Sequence, residues 1–126
     1  MTVVVDTSVL VDHLRGRAEA RETLAGIVRH GEAVAASVLT RTELLAGMRA
    51  SEKQATTSLV GALEWIPVTP EIADRASAWA RQYLRSHASI DIADYVIAAS
   101  AESVGGRFLT RNVKHFPMFP GLCAPY

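Results

Sequence analysis

Apolar and polar positions alternate in short blocks along the chain. Thr2-Val-Val-Val5 is a β-branched run that predicts a buried strand. It stops at Asp6-Thr7-Ser8, whose polar side chains can cap a following helix. Val9, Leu10 and Leu14, set among charged residues, predict a short helix ending near Gly16. A second helix is expected from about Ala18 to His30, with Leu24, Ile27 and Val28 apolar and Arg21, Glu22 and Arg29 polar, and Gly31 stops it.

Ala33-Val-Ala-Ala-Ser37 reads as a second strand. Thr40 is expected to open a helix carrying Leu44, Leu45 and Met48, and Glu52 to Leu63 another. Trp65-Ile-Pro-Val68 is a third apolar run, and Pro67 favours a sheet edge. Thr69-Pro70 marks a helix start, a hydroxyl cap followed by proline at the first helical position. That helix carries Ile72, Ala76, Trp79, Ala80 and Tyr83 on one stripe. The next begins at Ser89 to Asp91 and runs to about Val104, with Val96, Ile97, Ala101 and Val104 inward, before Gly105-Gly106. Arg107-Phe-Leu-Thr110 is a last strand, and the Pro-rich stretch from Phe116 onward is loop or edge.

Strands separated by helices imply an α/β sandwich with a mainly parallel sheet, although the strand order is not readable. The 126 residues suit one domain over 1–126, and 49% hydrophobic content is enough for a core. No apolar run approaches the roughly 20 residues of a membrane span, and no secretion signal is expected at the start. Cys123 stands alone, which excludes an internal disulfide, fits a reducing cytoplasm and predicts a small apolar filler. Net charge is zero, so no global field draws the chain to nucleic acid. The cations are almost all Arg, with only Lys53 and Lys114 as lysines; phosphate contacts and a coding bias explain that skew equally well.

In open parallel sheets, functional groups gather beyond the carboxyl ends of the strands. Asp6 directly follows the first strand, Glu43 is placed in the first turn after the second, and Asp94 in the first turn of the helix before the last. Each has an ordinary explanation. Asp6 can cap the next helix, Thr40-Arg-Thr-Glu43 matches a capping box, and Asp91 with Asp94 suits a cap and a first-turn acid. As a group they are harder to explain by stability. Two carboxylates about 5 Å apart repel by roughly 3 kcal/mol at an effective dielectric of 20. A divalent cation would offset that, and oxygen-only ligands favour Mg²⁺ or Mn²⁺. Such an ion suits phosphodiester hydrolysis. Ser8, Thr110 and Asn112 stand nearby to orient water or meet phosphate oxygens, and Arg111 to meet a nucleic-acid backbone, beside their plain roles in turns and solvent. Asp12 and the histidines His13, His30 and His87 read as surface or boundary residues, and Trp65, Trp79 and Tyr83 as core or interface. The apolar surplus between Thr40 and Leu63 hints at a subunit interface.

Val4-Val-Asp6-Thr-Ser8, Thr42-Glu-Leu44, Ala93-Asp-Tyr-Val-Ile-Ala-Ala99 and Leu109-Thr-Arg-Asn112 with His115-Phe116 together resemble a PIN-domain protein of the VapC ribonuclease toxin family. The resemblance spans nearly the whole chain, and its strength lies in the order and spacing of the pieces. It implies a PIN-like three-layer α/β sandwich and Asp6, Glu43 and Asp94 as the catalytic set, with Asp6 and Asp94 the principal Mg²⁺ ligands. It also implies a cytoplasmic homodimer that cleaves RNA and is neutralised by a VapB-type antitoxin. Many relatives carry a fourth acid after the last strand, where this chain has Asn112 and then His115, which puts a second ion in doubt. Asp91, one helical turn before Asp94, is a candidate to fill the gap, but its cap role competes.

Two other readings fit less well. A receiver domain needs an acidic pair after the first strand, an acceptor aspartate after the third and a lysine after the fifth; here Thr7-Ser8 follow Asp6, Thr69-Pro70 follow Val68, and Lys114 is poorly placed. A haloacid-dehalogenase-type phosphatase needs a second aspartate where Ser8 stands. A catalytically inactive PIN-like binding module differs from the nuclease only in metal-dependent activity, so metal titration separates them.

Overall fold

The computed structural model describes residues 1–126. Its sheet has four strands: β1 (Thr2–Val5), β2 (Ala33–Ser37), β3 (Glu64–Ile66) and β4 (Arg107–Leu109). All pairings are parallel, in the order β3-β2-β1-β4. The helices are α1 (Thr7–Leu14), α2 (Ala18–Arg29), α3 (Val38–Gly47), α4 (Lys53–Ala62), α5 (Pro70–Tyr83) and α6 (Ile92–Val104). β3 is an edge strand, in keeping with Pro67, which lies just past its end.

The period-2 geometry of β1 sends its valines to opposite faces. Val4, with Ala35 and Ile66, packs against Ile72, Ala76 and Trp79 of α5 and Ile97, Ala98 and Ala101 of α6. Val3 and Val5, with Ala36, pack against Val9 and Leu10 of α1, Leu24 and Ile27 of α2 and Leu44 of α3. Helices on both faces of one parallel sheet give the expected three-layer sandwich, and β1 reads as an unbroken apolar run because both its faces are covered. Phe116, which sequence placed in loop, is a core side chain stacked edge-on against Phe108 at 4.8 Å.

The chain leaves β1 toward β2 and β3 on one side, then crosses through α5 and α6 to add β4 on the other. The order therefore reverses between β1 and β4, and the carboxyl ends of those two strands flank the place where such sheets bind ligands. Gly106 enables their pairing: a Cβ there would lie 2.2 Å from the Thr2 carbonyl oxygen.

Some expected details change. α3 begins at Val38, with Ser37 as the cap accepting from the Leu39 amide at 3.1 Å, so Thr40 lies inside the helix and Glu43 in its second turn. β4 stops at Leu109, and Thr110 lies just beyond it. Val28 and Val104 are exposed because each falls on the solvent side of its helix. Cys123 is exposed as well and fills no core position.

Candidate active site

The carboxyl ends of β1 and β4 are tied together through Asp6. The backbone ladder runs one step past the strands, with the Asp6 amide donating to the Leu109 carbonyl at 2.8 Å. The Asp6 side chain is almost fully buried and makes no cap bond to α1. Its Oδ2 instead accepts from the Thr110 hydroxyl at 2.7 Å and the Ser8 hydroxyl at 2.9 Å. Ser8 Oγ in turn accepts from the Arg111 amide, and Thr110 Oγ1 from the Asn112 amide. The polar residues at the two strand ends thus form one network that fixes a single carboxylate.

Glu43 is not half of a capping box. Its Oε1 accepts from the Thr7 hydroxyl at 2.7 Å, and Thr7 also reaches the fully buried Thr40 at 3.2 Å. Asp91 and Asp94 do form a reciprocal cap at the start of α6: the Asp94 amide donates to Asp91 Oδ1 at 3.1 Å, and the Asp91 amide to Asp94 Oδ2 at 3.3 Å. The same Asp94 oxygen meets His115 Nδ1 at 3.1 Å. The cap role of Asp91 is real, yet it leaves Asp94 with an oxygen to spare.

That asymmetry recurs in all three acids. One oxygen of each carboxylate is held, and Asp6 Oδ1, Glu43 Oε2 and Asp94 Oδ1 accept no hydrogen bond from the protein. Asp6, Glu43 and Asp94 line one cleft of about 340 Å³, together with Thr7, Ser8, Val11, Asp12, Arg111 and Asn112. Thr110 and Asp91 support this cleft from outside its lining. A cavity of about 370 Å³ beside Phe108 and Leu122 carries one carboxylate, Glu102, already paired with Arg75 at 2.8 Å. Chemistry therefore singles out the acidic cleft.

No Lys or Arg pairs with Asp6, Glu43 or Asp94. The cost appears in the protonation of Asp94 and Glu43. Burial, then the charge of Asp91, pushes the Asp94 carboxyl up to about 6, although the Asp91 amide and His115 pull the other way. Burial also raises Glu43, with Asp6 and Asp91 adding to it and the Thr7 hydroxyl opposing. Glu43 is open to solvent as a residue, so this burial acts on a carboxyl turned onto α1. No three of the acids stand close enough to form a closed ligand cage. The donor set still fits a hard divalent cation: unpaired carboxylate oxygens, no thiolate, and room for water.

Sequence reasoning missed Asp12, read as surface. Its carboxylate is mostly buried in the cleft wall and is shared by Arg111, Arg17 and Tyr126. Arg111 is accordingly held by Asp12 at 3.0 Å rather than free in solvent. Nothing local marks Tyr126 as the partner of a residue 114 positions away.

Residues 3–117 match the PIN domain family. Ribonuclease VapC19 from Mycobacterium tuberculosis is 49% identical over 123 residues, covering 98% of each chain. Ribonuclease VapC10 from the same species is 40% identical over 124 residues, covering 98% of this chain and 92% of VapC10. A toxin–antitoxin complex from Klebsiella pneumoniae contains a chain that superimposes with a TM-score of 0.76 at 26% identity, covering 98% of both. A carboxylate cleft at the switch point of a parallel sheet, on a chain this similar throughout its length, makes it a member of the PIN domain family, in its VapC branch.

Proposed function

We propose that residues 1–126 form one PIN nuclease domain, a divalent-metal-dependent endoribonuclease that serves as the toxin of a type II toxin–antitoxin pair. The observation that carries this reading is the set of three carboxylates, each with one oxygen held and one free, lining a cleft without a cationic partner. The similarity to ribonucleases VapC19 and VapC10 supports the reaction class.

Asp6 and Asp94 would hold Mg²⁺, with Mn²⁺ as a substitute, through their free oxygens. When bound, the ion supplies Lewis-acid stabilisation of charge developing on the phosphate. Ser8 and Thr110 fix the rotamer of Asp6, and Asp91, through its amide, that of Asp94, so that neither carboxylate must be ordered when substrate arrives. Glu43, held by Thr7, turns its free oxygen to the water that attacks phosphorus. Arg111 and Asn112, which line the same cleft, meet the RNA backbone. No helix is long and apolar enough to cross a membrane, and a cytoplasmic homodimer restrained by a VapB-type antitoxin is the biological setting we infer.

The test compares the purified chain with Asp6→Asn on total bacterial RNA in Mg²⁺, in Mn²⁺ and in excess EDTA. Discrete fragments from the unaltered chain alone, lost in EDTA, are expected. A folded, antitoxin-free chain that cuts nothing in either metal overturns the reading.

A further inference from the structure

The Asp12 carboxylate is a fourth acid in the cleft wall, but it differs from the other three in being paired with arginines. Its Oδ2 accepts from the Tyr126 hydroxyl at 2.5 Å and from Arg111 Nη1 at 3.0 Å, and lies 3.7 Å from Arg17 Nη1. The Arg17 and Arg111 guanidiniums also lie over the Tyr126 ring, at 4.8 and 5.6 Å from its centroid. Two cations, one anion and one aromatic ring thus interlock at the cleft mouth, where ring quadrupole and carboxylate both hold the guanidiniums. Burial pushes the Asp12 carboxyl up, but Tyr126, Arg111 and Arg17 together bring it below its ordinary value, so it stays ionised.

This cluster leaves Arg111 with unspent donors. Only its Nη1 is bonded to a side chain, while its amide is anchored to Ser8, which itself holds Asp6. A guanidinium fixed at one nitrogen and open at the others presents a planar fork to phosphate without having to be ordered first.

We propose that Tyr126 and Asp12 are positioning residues that brace Arg111 at the cleft mouth, where it takes a backbone phosphate flanking the bond to be cut. This rests on the ribonuclease reading for the identity of the ligand, and its test is chosen so that the two fail separately. Binding of a short fluorescein-labelled single-stranded RNA of mixed sequence is followed by anisotropy in the Asp6→Asn background, where the strand stays intact. Cleavage of the same RNA is assayed with Asp6 present.

Arg111→Ala is expected to weaken binding about tenfold and to lower the slope of log Kd against log salt by about 0.7, the value of one contact on a single strand. Tyr126→Phe and Asp12→Asn, which leave Arg111 in place, should each weaken binding about threefold. Combined with Arg111→Ala, neither should weaken it further, because both act through Arg111. With Asp6 present, Tyr126→Phe should raise KM while kcat stays within about twofold.

Additive losses in the double variants overturn the brace. So does a Tyr126→Phe chain that binds like its parent, and so does tighter binding by Asp12→Asn, which would make Asp12 a competitor of phosphate for Arg111. An unmoved salt slope in Arg111→Ala removes the phosphate contact itself. Absence of cleavage with Asp6 present bears on the ribonuclease reading and leaves the binding results to decide the brace.

Discussion

Thr110 donates its hydroxyl to Asp6 at 2.7 Å across 104 residues of sequence, joining the end of β4 to the end of β1. The same oxygen accepts from the Asn112 amide, and the side chain is fully buried. Thr110→Val keeps the shape and removes both bonds. It is expected to cost about 1–3 kcal/mol in urea unfolding, because a buried carboxylate and an amide lose a partner. Thr110→Ser, which keeps the hydroxyl, should cost about 1 kcal/mol for the lost methyl and retain RNA cleavage. Equal losses of activity in the two variants would show that the hydroxyl does not organise Asp6.

Asp94 gives the metal-free protein an unusual pH dependence. Its carboxyl is pushed up to about 6 in the folded chain from an ordinary value of 3.8, by burial first and by Asp91 next. Between those values the folded state binds the proton more tightly than the unfolded state does, so stability falls as pH rises through this window. Solvent reaching the cleft softens the effect. Melting in EDTA should therefore show a fall from about pH 4 to pH 6 that Asp94→Asn reduces, with the raised Glu43 carboxyl leaving a smaller fall of the same sign. A flat profile in the unaltered chain would mean that neither burial nor the Asp91 charge disfavours the ionised Asp94 carboxyl.

A divalent cation should reverse that penalty. An ion bound by Asp6 and Asp94 in the folded state alone stabilises by mass action, by about 2.7 kcal/mol at one hundred times its Kd. The melting temperature should rise with Mg²⁺ or Mn²⁺, more steeply above pH 6 than below it, since protons compete for Asp94. Asp6→Asn and Asp94→Asn should each remove most of the rise. An increase of the same size in both variants would assign the cation to surface charge instead.

The parts of the fold legible in sequence are those whose causes are local. Thr69-Pro70 marks the start of α5, the stripe from Ile72 to Tyr83 marks its buried face, and the all-valine β1 reads as a strand covered on both sides. Asp6 and Asp94 were legible because strand ends and helix starts can be placed from such signals. The cap of α3 was not, because Ser37 closes an apolar run and Thr40 offers a better-looking box; burial of Thr40 against Thr7 decided otherwise. The Asp12–Tyr126 contact and the His115–Asp94 contact depend on tertiary closure, which no periodicity encodes.

Gly106 sets the closeness of β1 and β4, and so of Asp6 and Thr110. Gly106→Ala would drive a Cβ into the Thr2 carbonyl at 2.2 Å, a backbone contact that no rotamer change relieves. A loss of at least about 2 kcal/mol is expected, measured by denaturant midpoint. Gly61→Ala meets nothing within 4 Å in the last turn of α4 and should stabilise by about 0.5 kcal/mol. If the two variants behave alike, backbone entropy rather than the β1–β4 approach governs both.

Glu43 and Ser37 separate stability from chemistry within one helix. Ser37 caps α3, so Ser37→Ala should cost about 1 kcal/mol. Glu43 caps nothing; burial and the charges of Asp6 and Asp91 disfavour its ionised form, and the Thr7 hydroxyl only partly compensates. Glu43→Gln keeps an acceptor for Thr7 and removes a charge, so the metal-free protein at neutral pH should be as stable as its parent or more so. On the proposed reading, in which Glu43 orients the attacking water, RNA cleavage should fall by roughly a hundredfold to ten-thousandfold. Destabilisation by Glu43→Gln with cleavage intact would return the residue to a purely structural role, and the acidic cleft would then rest on Asp6 and Asp94 alone.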